Sequence, residues 1–270
     1  MPTRSVLVTV LLATLALAGC SASLDTELDT LPDGVEVSVF QNRSDYSTRT
    51  LVIGVANGSP EPLELERVEF SSPRFDDTAV WDRGTTVRAG GQVDLRVPLP
   101  VSVCGVSGAP SIRVSFTTST GMDGAATITP VDSRDRLDQI SREECLIEDV
   151  ARLASITISR DVDWTPGAHA PATVRLEVER TDAAGDLSID AVHQTVLLSL
   201  VDGAPVAHVD TTTLSFVPSR CDPHAVAEDK LGTVFPVDVT VDGTSGTISV
   251  AASDETRVEI YDFIADYCGY

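Results

Sequence analysis

Lysine is nearly missing from this chain of 270 residues: Lys230 stands alone against eighteen arginines. Histidines number four, methionines two, and aromatic residues make up 5%. Each scarcity narrows the reading. With 41 Asp plus Glu against 19 Lys plus Arg, the formal net charge is −22, a poor match for nucleic acid or anionic lipid headgroups. A solvated acidic surface accounts for that charge most simply. Arginine in place of lysine suggests a high-GC genome. Only Met122 lies beyond the first residue, which argues against a thioether copper carrier. Few aromatics leave a sugar-binding platform unsupported. The first half has no histidine, so any Ser–His–Asp set would have to draw on His169, His193, His208 or His224. Gly-x-Ser-x-Gly is absent, and "GVSG" (105–108) and "GTSG" (243–246) lack its spacing. His-Glu-x-x-His, a phosphate loop, GxGxxG and an EF-hand loop are also absent. Without Cys-x-x-Cys, thiol redox chemistry is disfavoured.

One apolar run is long enough to matter. Arg4 precedes Val6 to Ala18, which is broken only by Thr9 and Thr14. The run is too short to span a bilayer and reads as a signal peptide over 1–19. The following Leu17-Ala18-Gly19-Cys20 resembles the lipobox of bacterial lipoproteins of high-GC Gram-positive type. The resemblance implies cleavage before Cys20, acylation of its thiol and an extracytoplasmic protein lipid-anchored to the cell membrane. It covers residues 1–20 and carries no activity. Cleavage removes one positive charge, leaving 18 against 41, or −23. Residues 20–32, with "SASLDTELDTLP", read as an acidic tether whose twelve residues reach at most ~40 Å.

Four cysteines follow Cys20, which suggests two disulfides in an exported chain and leaves three connectivities open. An internal repeat chooses among them. "TLVIGVAN" (50–57) matches "TVRLEVER" (173–180), and Leu63-x-Leu65-x-x-Val68 matches Leu187-x-Ile189-x-x-Val192. Val97 and Leu99 precede Cys104 as Leu214 and Phe216 precede Cys221. "SIRVSF" (111–116) matches "VFPVDV" (234–239), and Leu137-x-x-Ile140-x4-Cys145 matches Ile260-x-x-Phe263-x4-Cys268. The shared order predicts Cys104–Cys145 and Cys221–Cys268, one bridge per half.

Runs such as "VEVSVF" (35–40), "SITIS" (155–159) and "PVDVTV" (236–241) alternate with period two and are rich in β-branched residues. Asn57-Gly58, Gly90-Gly91, Asp202-Gly203 and Asp242-Gly243 mark turns. The expectation is an all-β protein of two tandem antiparallel β-sandwich domains, Ig-like in the broad sense, over 33–150 and 151–270. Each domain would end in a short helix or turn. Residues 133–147 are the stronger helix candidate; 254–268 is ambiguous, because Val258-x-Ile260 also suits a strand.

"RCDPHAVAEDKLGTVFPV" (220–237) gathers the densest cluster of polar chemistry. The second cysteine spacing is 47 residues against 41, so six residues are inserted in the second copy. Asp222 suits an N-cap, Pro223 the first helical position, Lys230 a place near the C-terminal end and Gly232 a stop. The candidate binding surface is Asp222, His224, Glu228, Asp229 and Lys230. The expected function is non-catalytic: a binding or structural module at the outer membrane face, without cofactor or metal. Its partners would be the membrane, through the lipid, and an envelope protein or cell-wall component, with no nucleic acid. A second reading has His224 with Asp222, Glu228 or Asp229 holding zinc, copper or calcium. A third is an extracytoplasmic hydrolase.

Overall fold

Alternation decides the strands. In β1 (Val35–Phe40), Val37 and Val39 are buried while their neighbours reach toward water. The structure is a computed structural model describing residues 27–201 and 210–270, apart from the side chain of Arg43. Residues 1–19, Cys20, the Asp202-Gly203 turn and His208 lie outside the described residues. The first half continues with β2 (Thr50–Asn57), β3 (Leu63–Ser71), β4 (Ala79–Trp81), β5 (Thr85–Val87), β6 (Gln92–Pro98), β7 (Ser111–Thr118), β8 (Asp123–Ile128) and helix α1 (Arg136–Leu153). The second contains β9 (Ala154–Ile158), β10 (Ala172–Arg180), β11 (Leu187–Val192), β12 (Leu198–Leu200), β13 (Thr211–Pro218), helix α2 (Pro223–Ala227), β14 (Val234–Val241), β15 (Thr244–Ala251) and helix α3 (Asp254–Cys268).

The sheets show the duplication. β1-β2-β6 faces β4-β3-β7-β8, with β5 also on the edge of β3. β12-β13-β10-β9 faces β11-β14-β15. Strands within each sheet pair antiparallel. Leaving out β4, β5 and β12, the strand order of the two halves is the same. The two-residue gap in Leu65-x-x-Val68 is a β-bulge, where the β3–β7 register slips between Leu65 and Arg67. Its counterpart, Ile189-x-x-Val192, carries the same slip between Ile189 and Ala191. One extra residue restores the inward face after the break, which is why both strands bury apolar side chains on either side of it. Asp242 and Gly243, both at positive φ, form the two-residue turn joining β14 to β15.

Each half has its own buried cluster, one built on Leu51, Ile53, Val68, Phe70, Val114 and Phe116, the other on Leu176, Phe216, Phe235, Val237 and Phe263. The terminal helices are longer than the short elements expected, at 18 and 15 residues. α3 starts at Ser253, whose hydroxyl accepts from the Thr256 amide, with Asp254 and Glu255 in its first turn. Ile260, Phe263 and Ile264 are buried at helical spacing, and Val258 faces solvent, which settles the ambiguity against a strand.

α1 runs without interruption through residues 150 and 151. Leu137 and Ile140 belong to the first core; Leu146, Val150 and Leu153 belong to the second. A Cβ on Gly246 would come within 2.6 Å of Leu146 Cδ2, so the glycine lets the helix lie directly on β15. The last part of the expected tether is docked: Leu28 N–H donates to Asp123 O at 3.0 Å and Ala125 N–H to Leu28 O at 2.8 Å. Leu28 and Leu31 pack on the first core. The exposed backbone edge of β8 supplies those bonds, and the two leucines supply apolar contact.

Candidate binding surface

The two bridges join Cys104 to Cys145 and Cys221 to Cys268, with Cα separations of 5.5 and 5.3 Å. The second closes the inserted segment. Within it, Asp222 caps α2, accepting from the His224 amide at 3.0 Å, and Pro223 takes the first helical position. The helix ends at Ala227, before Lys230 and Gly232. Asp229 then turns the chain: one oxygen accepts from the amides of Leu231 and Gly232, at 3.1 and 2.7 Å. Its other oxygen accepts from Tyr261 Oη on α3 at 3.0 Å. Burial and then the Asp229 carboxylate push the Tyr261 phenol upward.

Two of the five candidate residues, Asp222 and Asp229, are therefore occupied in shaping the loop. His224, Glu228 and Lys230 are exposed, as is Leu231 at 64%. No hydrogen bond between side chains and no ion pair joins one of the five to another among the described residues. Among the described residues, no three His, Cys, Asp or Glu side chains lie close enough to hold a metal ion.

The other histidines sit elsewhere. His193 Nε2 lies 2.7 Å from Asp238 on the outer face of the β11–β14–β15 sheet. Hydrogen bonds from Thr247 and then His193 hold the Asp238 carboxyl below its ordinary range. No hydrogen bond to a serine extends the pair among the described residues. His169 Nδ1 lies 3.0 Å from the carbonyl of Tyr267 and stacks edge-on against that ring, fastening the loop before β10 to α3.

A polar cleft in the first domain went unread in the sequence. It has a volume of about 450 Å³ and is lined by Gln41, Asn42, Tyr46, Asp132, Arg136 and Gln139, among others. Arg136 stacks on Tyr46, with its guanidinium carbon 4.4 Å from the ring centre, and donates to Gln41 Oε1 at 2.9 Å. The available signal was Tyr46 itself, a large aromatic in the polar stretch "QNRSDYSTRT" and 50% exposed.

Asp45, which accepts hydrogen bonds from Asn42 of this cleft, is fully buried. Burial raises its pKa, but hydrogen bonds from Arg96 and from the backbone and side chain of Asn42 outweigh that and leave it lowered. A depressed carboxylate contributes stability above its unfolded value, about 4, and loses it as pH falls through the lower folded value. Asp45→Asn should therefore reduce stability at pH 7 and flatten the acid limb below pH ~4. Denaturant titrations from pH 2 to 7 check this; parallel curves for variant and wild type would rule out the assignment.

No family model matches the chain, and no curated protein matches it. Solved structures resemble it only loosely. A red sea bream transglutaminase aligns at 10% identity and a TM-score of 0.25, over 82% of this chain and 31% of its own. The CsuC–CsuE chaperone–tip adhesion subunit complex of Acinetobacter baumannii pili aligns at 8% and 0.22, over 76% and 93%. The exo-chitosanase CsxA of Amycolatopsis orientalis aligns at 15% and 0.20, over 80% and 26%. The chain thus spans under a third of the transglutaminase and of the chitosanase. The class defined by fold is all-β, two antiparallel β-sandwiches each followed by a helix.

Proposed function

We propose that the protein is a lipid-anchored, non-catalytic binding module of the cell envelope, and that the insertion of its second domain is the contact surface. One observation supports this above the others. The insertion is fixed by a disulfide, by the Asp222 cap and by the Asp229–Tyr261 bond, yet His224, Glu228, Lys230 and Leu231 remain exposed. A loop ordered in advance costs less entropy on binding than a mobile one. The lipobox-like Leu17-Ala18-Gly19-Cys20 supports the address, and disulfides are compatible with an oxidising compartment. The partner is an envelope protein or cell-wall component.

Photo-cross-linking in intact cells, followed by tagged capture, tests the surface. The triple variant His224→Ala/Glu228→Ala/Lys230→Ala leaves Asp222 and Asp229 in place. Loss of about 1.4 kcal/mol of binding reduces capture roughly tenfold. Equal capture by wild type and triple variant rejects the insertion as the contact.

A further inference from the structure

Strand direction places the two chain features of interest at opposite ends of the molecule. In the first domain β1 begins, β2 ends, β3 begins, β7 ends and β8 begins at one end, as the pairs Val35–Asn57, Leu63–Thr118 and Thr117–Asp123 show. Leu28 docks at that same end, beside Asp123. The opposite end receives α1. There Arg49 pairs with Glu144 at 3.1 Å, Arg74 with Asp138 at 3.3 Å, and Cys104 bonds Cys145.

The second domain continues the series. Its α1 end holds Ala154 opposite Arg180 and Leu187 opposite Val241. Arg152 closes this junction by donating to Ala184 O at 2.9 Å and pairing with Asp242 at 3.2 Å. The far end of the same sheets holds the end of β13, the start of β14 and the end of β15, with α2 between the first two. Eight-residue strands such as β2 and β14 each interpose ~26 Å.

We infer that the protein stands on the membrane as a two-domain post. The turn at 118–123 lies at the lipid end and the α2 insertion at the distal tip, facing outward to a partner rather than to lipid. This rests on the proposed acylation of Cys20. Cys20 lies eight residues before Leu28, a span of at most ~29 Å, so the Leu28 end cannot stray far from the bilayer. Because one helix carries buried residues of both cores, the two sandwiches do not hinge freely about a linker.

The single lysine makes the test direct. Full-length lipoprotein in neutral phosphatidylcholine vesicles is labelled with an amine-reactive donor, and the vesicles carry an acceptor lipid. Lys230 reports from the tip. Ser119→Lys in a Lys230→Arg background moves the label to the exposed turn beside the Leu28 end. Lys230→Arg alone gives the blank for the α-amino group. Energy transfer should be several-fold stronger from position 119 than from Lys230. Equal transfer from an acylated protein overturns the upright orientation alone. Mass spectrometry showing no acyl chains on Cys20 overturns the anchor and the orientation together.

Discussion

Replacing Cys221 and Cys268 together by serine should lower the stability of the second domain by about 4 kcal/mol. The bridge closes a loop of 47 residues, and the chain-entropy model gives that figure for a loop of such length. The bridge ties together the ends of two elements. Cys268 is the last residue of α3, and Cys221 is separated from β13 only by Ser219 and Arg220. α2 has no fully buried residue, and only the half-buried Ala225 and Val226 touch the second core. The bridge Cys104–Cys145 differs: its loop is 41 residues, but Cys145 lies within α1, with Leu137 and Ile140 buried before it and Leu146, Val150 and Leu153 after it. Both pairs should be removed separately and the proteins unfolded in denaturant. The C221S/C268S protein should also lose order over 221–232, read as faster amide exchange there. A loss below ~1 kcal/mol would mean that α3 and the Asp229–Tyr261 bond already fix the segment.

The sequence exposed more of the scaffold than of the surface, for reasons visible in single residues. Alternation in "VEVSVF" and "PVDVTV" reports directly which face is buried, because a strand's side chains have period two. The Leu-x-Leu-x-x-Val pattern even carried its bulge in plain view. Asp222 and Pro223 were legible because capping is local in sequence. Asp229 was not, since its partner Tyr261 is 32 residues away. The length of α1 was hidden by Glu148 and Asp149, acids in the half of the helix where the macrodipole disfavours them. Their cost is offset by Arg152, 3.7 Å from Asp149, and by burial of Leu146, Val150 and Leu153. The glycine that accepts Leu146 lies in another strand, so the join between the domains could not be read from α1 alone. The Tyr46–Arg136 cleft was missed for the same reason: its walls come from segments ninety residues apart.

Phe263→Ala should cost about 3–5 kcal/mol, the range for removing a buried aromatic ring from a core. Phe263 is 2% exposed and its ring centre lies 5.7 Å from Phe216, 5.8 Å from Trp164 and 5.6 Å from Tyr267. Three aromatic contacts on one side chain leave a void that small shifts cannot fill, since each neighbour is itself held: Phe216 by β13, Trp164 by the loop fastened through Gly167 N–H to Asp266 at 2.8 Å, Tyr267 by α3. Val258→Ala on the exposed side of the same helix should stay within about 0.5 kcal/mol, which separates packing from helix propensity. Trp164 supplies the optical readout, in a Trp81→Phe background, as a red shift of its emission when the ring beside it is lost. Phe263 and Cys268 fasten the same helix, so their effects should not add. Once either is gone and α3 loosens, the other has less to hold, and F263A/C221S/C268S should cost less than the sum of its parts by ~1 kcal/mol or more. Full additivity would mean that the bridge acts on the insertion and the ring on the core, each without the other.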